Sequence, residues 1–374
     1  MIRLKKKLFS GLRIGNFKAK LPIIQGGMSV GISLSGLASA VANEGGIGVI
    51  GGAAIGMLED DFNKNFREAN TRALVKEIKK AREKSNGLIG VNLMVALSDY
   101  EDLLEVAVKN GVDVLFLGAG LPLRFPESIQ PGKIKTALAP IISSARAAKI
   151  ILESWARKFR KLPDALVVEG PKAGGHLGFK KEQIDHPDFQ LEKILPAVIE
   201  TIEPYQREFQ VKIPVIAAGG IYSGADVHRF LALGADGVQM ATRFVTTHEC
   251  DASEKFKEAY LRARREDLVI INSPVGLPGR AINNSFLEDV SRGVRKPFKC
   301  SWKCLKTCQL KKAPYCIASA LTNAKKGNLL EGFSFAGVNA YLSEKISSVR
   351  EVIASLIEEY DRSLVENQLA FRPV

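Results

Sequence analysis

The chain lacks several features that would assign it to a common class of protein. No run of about 18 or more uncharged apolar residues occurs, which argues against a transmembrane helix. The P-loop pattern G-x-x-x-x-G-K-[ST] is absent, which argues against a P-loop ATPase or GTPase. A dinucleotide-binding G-x-G-x-x-G would follow the first strand, whereas the glycine-rich stretch Gly45-Gly46-Ile47-Gly48 leads into an apolar run. Aromatic residues make up only 7% and do not alternate with cations as on a platform for single-stranded nucleic acid. We therefore expect binding to neither membranes nor nucleic acids.

The amino terminus, M-I-R-L-K-K-K-L-F-S, also lacks what a secretory signal needs. It is basic, but neither an apolar segment of adequate length nor a small-residue cleavage site follows it. We therefore expect a cytoplasmic protein. The 374 residues are 46% hydrophobic and 25% charged, which is typical of a soluble globular enzyme acting on a small molecule. The net charge of +13 is compatible with an anionic cofactor or an acidic carrier protein, although most cations lie on predicted helix faces.

Short apolar runs rich in Val, Ile and Gly alternate with amphipathic stretches along the chain. This alternation is typical of buried parallel strands joined by crossover helices. The candidate strands are residues 22–27, 46–52, 88–94, 112–118, 136–142, 165–170, 213–220 and 237–241. The candidate helices are residues 34–43, 70–84, 100–110, 144–160, 191–201 and 224–233. Eight strands in alternation predict an α/β protein with a (β/α)8 barrel rather than an open doubly wound sheet.

The pattern divides the chain into three predicted parts. The barrel is predicted to span residues 12–248. Between residues 249 and 333, scattered prolines and a cluster of four cysteines within residues 300–316 indicate a small appended subdomain. Apolar residues recur at helical spacing within 341–360, so the segment 334–374 is predicted to end in a helix that packs back on the barrel.

Glycine and polar residues follow the predicted strands at the ends where functional loops of a barrel lie. Glycine also makes tight turns without any ligand, but its density at six or more strand ends favours a large planar or phosphorylated ligand. After the seventh and eighth strands, Gly219 and Gly220 and the run from Gln239 to Thr242 leave backbone N–H groups that could take a phosphate. Plain turn geometry is the alternative for these two loops.

A lone imidazole, His176, stands among glycines in P-K-A-G-G-H-L-G, residues 171–178, directly after the sixth strand. Most single histidines are packed or surface residues rather than catalysts. The strand-end position favours a catalytic role here, because an imidazole that titrates near neutral pH can move a carbon-bound proton. The other three histidines have no comparable setting.

The cysteine cluster follows the spacing C-x3-C-x3-C-x7-C. If residues 300–308 are helical, three of its sulfurs lie along one face and the fourth could complete a four-thiolate site for zinc or an iron–sulfur cluster. Neither the C-x2-C pairs of common zinc sites nor the ferredoxin spacing is present. Reduced thiols in a basic loop are the alternative. The candidate metal ligands are Cys300, Cys304, Cys308 and Cys316.

Five motifs in register carry a resemblance to a known family. They are L-P-I-I-Q-G-G-M (21–28), G-V-N-L-M (90–94), D-A-L-V-V-E-G-P-K-A-G-G-H-L-G (164–178), I-P-V-I-A-A-G-G-I (213–221) and G-A-D-G-V-Q-M-A-T-R-F (234–244). Together they resemble the nitronate monooxygenases, formerly called 2-nitropropane dioxygenases, whose superfamily includes the flavin-dependent enoyl-acyl-carrier-protein reductases. The resemblance covers residues 12–285 and resumes near 335–340.

The resemblance implies a TIM barrel that holds non-covalent FMN at the carboxyl ends of its strands. It implies that His176 is the catalytic base. The residues that would border the isoalloxazine ring are Gln25, Gly26, Gly27, Met28, Asn92, Glu169, Gly174 and Gly175. The residues that would hold the phosphate are Gly219, Gly220, Gln239, Met240, Ala241 and Thr242.

Three functions stay open from the sequence. The resemblance implies first an FMN enzyme that oxidises alkyl nitronates or nitroalkanes to carbonyl compounds and nitrite with oxygen. In the reductase branch, NAD(P)H reduces FMN, which passes hydride to an enoyl thioester on an acyl carrier protein. A barrel that binds a phosphorylated metabolite without turnover is the third hypothesis. Lys172 stands where family members often carry an acid, which leaves the substrate class open.

Overall fold

A computed structural model describes residues 10–300 and 302–370 of the chain. The basic amino-terminal segment up to Phe9 and the last four residues of the predicted C-terminal segment lie outside the described residues. None of the described helices is long and apolar enough to cross a membrane.

A closed barrel of eight parallel strands forms the centre of the molecule, as the alternating pattern predicts. A small hairpin, β1 (Arg13–Ile14) and β2 (Phe17–Lys18), precedes it. The barrel strands are β3 (Ile23–Gln25), β4 (Ile47–Gly51), β5 (Leu88–Met94), β6 (Val114–Gly118), β7 (Ala137–Ile142), β8 (Leu166–Glu169), β10 (Val215–Ala218) and β11 (Gly237–Met240). Strand β11 pairs with β3 and thereby closes the barrel. Each predicted strand overlaps one of these eight.

Side chains of the barrel strands are buried on both faces, which explains their nearly continuous apolar runs. Val49, Phe116, Val167 and Ile216 belong to a core cluster that fills the barrel. Their neighbours Ile50, Leu115 and Val168 belong to the layer between the strands and the helices.

Helices cover the outside of the barrel. The crossover helices are α1 (Ser35–Asn43), α2 (Phe66–Lys84), α3 (Tyr100–Lys109), α4 (Ala145–Phe159), α5 (Leu191–Phe209) and α6 (Gly224–Ala232). The later helices are α7 (Thr242–Val245), α8 (Glu254–Arg262), α9 (Ser285–Ser291), α10 (Ile317–Lys325) and α11 (Val349–Ala370). The Pro-rich connection between β6 and β7, which the structure describes in full, contains no helix, as predicted. Helix α5 runs past its predicted end at residue 201, through Pro204, and ends at Gln210 with a φ of 52°.

A second, smaller sheet lies outside the barrel. Strands β12 (Leu268–Asn272) and β13 (Pro278–Ile282) form an antiparallel hairpin, and β13 also pairs with β9 (Gly175–His176). Gly279 lies opposite His176 in this register. The segment after β8 is therefore held by a hairpin that comes from the predicted appended part of the chain.

The C-terminal helix α11 packs against α6, as the apolar spacing predicts. Leu356 and Val352 of α11 are buried. Close approach is possible because α6 begins with Gly224, where a Cβ would stand only 2.2 Å from the carbonyl oxygen of Leu356. The Glu359 carboxylate accepts a hydrogen bond from the Gly224 N–H at 2.7 Å. The division of the chain into parts at residues 248/249 and 333/334 stays a prediction.

Candidate active site

A cavity of about 290 Å³ opens at the carboxyl ends of the barrel strands. A larger groove of about 1110 Å³ lies at the opposite end, beside Arg13, Asp164 and Lys212. In barrels of this kind the functional loops follow the carboxyl ends of the strands, so the smaller cavity is the candidate site. The predicted site residues that line it are Gly26, Gly27, Met28, Asn92, Glu169, Gly174, Gly175, His176, Gln239, Ala241 and Thr242.

Four predicted site residues do not line the cavity, and two of these support its floor. Gln25 is fully buried, and its side-chain oxygen accepts a hydrogen bond from the Val49 N–H at 2.9 Å. Its amide nitrogen donates to the Gly26 carbonyl. Met240 is also buried, and its carbonyl accepts a hydrogen bond from the Gly26 N–H at 2.8 Å. Gln25 and Met240 therefore hold the loop after β3 in place from below.

The other two, Gly219 and Gly220, lie behind the cavity wall. Both have a positive φ, 93° and 78°. A Cβ at Gly219 would stand 2.8 Å from the Gly170 carbonyl oxygen, and one at Gly220 would stand 2.7 Å from the Cβ of Lys172. This turn therefore needs glycine for close packing as well as for its backbone conformation.

One loop near the end of the chain links the two turns predicted to hold a phosphate. The Gly337 N–H donates to the Thr242 hydroxyl at 3.0 Å. The Asn339 amide donates to the Gly220 carbonyl at 2.9 Å. The N–H groups of Gly219 and Gly220 donate to none of the described residues. Unpaired N–H groups beside a hydroxyl suit a phosphate, so this corner fits an anionic group.

His176 is held by a serine from the hairpin tip. Its Nε2 lies 2.7 Å from the Ser273 hydroxyl oxygen. The edge of the ring packs against Phe335, with centroids 5.0 Å apart. Burial lowers the pKa of His176 to about 4, so the ring is neutral at neutral pH. When the Ser273 hydroxyl donates to Nε2, the neutral ring carries its proton on Nδ1; the opposite tautomer would instead donate from Nε2 to the hydroxyl.

We expect Ser273→Ala to release His176 from a single tautomer. A neutral hydrogen bond of about 1 kcal/mol corresponds to roughly a fivefold preference for one ring form. In ¹⁵N-labelled protein, the ring nitrogens of His176 should therefore change from one protonated and one unprotonated signal towards averaged values. Ser273→Thr keeps the hydroxyl and should keep the separate signals. Unchanged signals in the alanine variant would show that Ser273 does not orient the ring.

Glu169 is the second titratable group that lines the cavity from a strand end. It is the last residue of β8, and no described residue forms a hydrogen bond or ion pair with its carboxyl group. Burial raises the pKa of Glu169 to about 7. The cavity therefore holds a neutral imidazole and a carboxyl group that is half protonated near neutral pH.

A buried arginine fixes the loop between β8 and β9. The Arg280 guanidinium donates to the carbonyls of Ala173, at 3.0 Å, and Pro171. Sequence reasoning identified neither Arg280 nor Ser273 as a functional residue. A signal for their hairpin exists, since a turn-forming stretch, S-P-V-G-L-P, separates the apolar runs 268–271 and 281–282. The pairing of that hairpin with β9 has no such local signal.

The cysteine cluster does not form the predicted metal site. Within the described residues, no three His, Cys, Asp or Glu side chains are placed to hold a metal ion. The physical reason is that Cys300 and residues 302–308 are not helical: Leu305 pairs with Leu97, and the Cys304 carbonyl accepts from the Ser98 N–H at 3.0 Å. Cys304 lines the cavity, whereas Cys300, Cys308 and Cys316 do not. All four thiols are free, and zinc or iron–sulfur binding is unsupported.

Nearly the whole chain matches one family. The model of the nitronate monooxygenase family matches residues 11–359. A probable nitronate monooxygenase of Staphylococcus aureus strain Newman is 29% identical over 307 residues, which cover 72% of this chain and 78% of the relative.

Solved structures show the same architecture. FabK from Thermotoga maritima superimposes with a TM-score of 0.73 at 25% identity, over 94% of this chain and 96% of that one. Nitroalkane oxidase from Streptomyces ansochromogenes superimposes with a TM-score of 0.69 at 21% identity, over 93% of this chain and 98% of that one, and shows the fold alone. The family match also replaces the hypothesis of a barrel without turnover. The chain belongs to the nitronate monooxygenase family and is an FMN-dependent oxidoreductase.

Proposed function

We propose that this protein oxidises alkyl nitronates to carbonyl compounds and nitrite, with oxygen as the electron acceptor. The observation that supports it is the neutral imidazole of His176 in a largely apolar cavity. A nitronate is an anion that has already lost its α-proton, so it needs hydrogen-bond donors and an apolar place for its alkyl group. An imidazole with a pKa of about 4 is a weak base towards a neutral nitroalkane. We therefore favour the nitronate over the nitroalkane as substrate.

The residues present fit FMN. The N–H groups of Gly219 and Gly220, which donate to none of the described residues, and the Thr242 hydroxyl suit its phosphate. Two glycines in the wall let the chain pack closely against itself around the cavity: a Cβ at Gly27 would stand 2.5 Å from the Asn92 Cβ, and one at Gly174 would stand 2.5 Å from the Ala336 carbonyl carbon. When bound, FMN would accept the electrons of the substrate. The residues that would hold its ring system are Gly26, Gly27, Met28 and Asn92, and those that would hold its phosphate are Gly219, Gly220, Gln239, Ala241 and Thr242.

The chain's own groups would bind and orient the substrate. Nδ1–H of His176 can donate to a nitro oxygen while Ser273 holds Nε2. The apolar residues of the outer wall would exclude water and contact the alkyl group; they are Val30, Ile32, Leu97, Leu305, Ile317 and Leu321. A hydrogen bond to an anion is strongest where water is excluded.

Anaerobic reduction of the bound flavin tests this proposal. We expect propyl-2-nitronate to bleach the flavin absorbance and NADH and NADPH to leave it unchanged. His176→Ala should retain FMN but slow the bleaching at least about tenfold, because a hydrogen bond to a charged group contributes about 1.5–3 kcal/mol. His186→Ala, on an exposed loop, is the matched control. Bleaching by a pyridine nucleotide but not by the nitronate would overturn the proposal.

One observation favours reduction of an enoyl thioester on an acyl carrier protein as a second candidate. Residues 290–330 contain no Asp or Glu, and their exposed cations Lys303 and Lys306 flank the cavity-lining pair Cys304 and Leu305. The full set of cations is Arg292, Arg295, Lys296, Lys299, Lys303, Lys306, Lys311, Lys312, Lys325 and Lys326. A basic surface at a cavity mouth suits an acidic carrier protein. Salt-sensitive oxidation of NADH or NADPH with a carrier-bound crotonyl thioester would establish this activity.

A further inference from the structure

We propose that Glu169 contacts the substrate as a protonated carboxyl group and donates a hydrogen bond to the bound anion. This inference rests on the proposed function, because it concerns an anionic substrate in the same cavity. It gives Glu169 a role in binding the substrate, in addition to any contact with the flavin.

The position of Glu169 is fixed by the barrel itself. It ends β8, where its backbone lies in register with Ala218 of β10. Its side chain lines the cavity together with His176, which follows on β9. Two titratable groups thus face one small cavity from consecutive strands.

Nothing in the described part of the chain neutralises an ionised Glu169. No hydrogen bond or ion pair reaches its carboxyl group. The titratable groups on the other cavity walls are His176, Tyr260 of α8 and Cys304. Burial lowers the pKa of His176 and raises that of Tyr260 and Cys304, so all three are neutral at neutral pH. Lys172, on the loop after β8, packs instead beside Gly220.

Glu169 is half-buried, and a carboxylate without a partner in a poorly solvated cavity is unfavourable, so desolvation raises the pKa of Glu169 to about 7. A bound anion adds to this effect because like charges in one small cavity repel. The protonated carboxyl group, by contrast, offers an O–H donor on the wall that also holds the imidazole. We therefore expect Glu169 to be protonated whenever an anion is bound. If Glu169 is ionised beforehand, binding of the anion takes up one proton.

The holoenzyme can be tested with nitrite, which stays anionic across the accessible pH range and requires no turnover. Binding is followed by the change in flavin absorbance between about pH 5.5 and 9. For the natural chain we expect the affinity to fall about tenfold per pH unit above pH 7, as for loss of a single required proton. Glu169→Gln keeps a neutral donor and should bind nitrite with no such fall. Glu182→Gln, at an exposed position, should behave like the natural chain.

Two results would overturn the inference. One is a fall in affinity in Glu169→Gln that matches the natural chain. If that variant loses FMN, a second measurement applies. Infrared spectra of the natural holoenzyme at pH 6 should contain the band of a neutral carboxylic acid, and Glu169→Asp should shift this band. Absence of the band, or a band that the substitution does not shift, contradicts the proposal. Because nitrite binding does not depend on nitronate oxidation, failure here is separate from failure of the flavin-bleaching test.

Discussion

Gly174→Ala is expected to weaken FMN binding at least about fivefold while the barrel stays folded. A Cβ at this position would stand 2.5 Å from the carbonyl carbon of Ala336 and 2.6 Å from the nitrogen of Gly337. These are backbone atoms, so no side-chain rotation relieves the contact. The Gly337 N–H is also the group that bonds Thr242, at the corner that fits a phosphate. Moving this loop would disturb both the cavity wall at Gly174 and the corner at Thr242 where we propose that the phosphate binds.

The measurement is the FMN content after gel filtration, together with the dissociation constant from flavin fluorescence. Overpacking costs about 1–3 kcal/mol, and a loss of that size in binding weakens it by roughly 5-fold to more than 100-fold. Gly132→Ala is the matched control, because a Cβ there would meet nothing within 4 Å. Normal FMN affinity in Gly174→Ala would mean that the loop around Gly337 is not part of the cofactor wall.

The second large effect is a pair of opposing pH dependences of stability in the flavin-free protein. Burial raises the pKa of Glu169 from 4.5 to about 7, so the folded state holds this proton more tightly than the unfolded state does. The contribution of Glu169 to the free energy of unfolding is therefore complete below pH 4.5 and is lost as the pH rises through 7. His176 has its pKa lowered from 6.5 to about 4, so its contribution is complete above pH 6.5 and is lost as the pH falls through 4. Each shift corresponds to about 3 kcal/mol at most.

Between pH 4.5 and 6.5 the two slopes should cancel. Each single variant removes one of the two slopes, and we expect the remaining slope to appear in the pH dependence of the melting temperature. Glu169→Gln should leave a protein whose stability rises with pH over this window, by about 1.4 kcal/mol per pH unit. His176→Gln should leave one whose stability falls over the same window. If both variants keep the pH dependence of the natural chain, the burial of these groups is not what shifts their pKa values.

Much of the fold could be predicted because its signals are local. Residues 46–52 are apolar throughout and residues 88–94 are apolar except for Asn92, since both faces of a barrel strand are largely buried, and the structure places β4 and β5 there. The helix α5 was predicted too short because the regular apolar spacing weakens before Pro204, although packing continues the helix to Phe209. Apolar spacing therefore identified the elements better than it located their ends.

Only part of the candidate site could be predicted from the sequence. Glycines and His176 directly after strands mark the cavity, and the structure brings most of the predicted residues together there. Ser273 lies 97 residues from His176 in sequence, and Arg280 lies 109 residues from Pro171. No spacing rule links residues so distant. The helix considered for residues 300–308 fails for the same reason, because pairing with residue 97 decides that conformation.

The hairpin that holds His176 also has a consequence for the order in which the molecule is assembled on the ribosome. Chains are made from the amino terminus, and early parts can fold before later parts exist. The eighth barrel strand is complete once Met240 has been made, but Ser273, Arg280 and the wall at Ala336 and Gly337 follow only later. A nascent chain could therefore close its barrel well before it can hold the cofactor or orient its histidine. Cofactor uptake would then show that synthesis has passed residue 337.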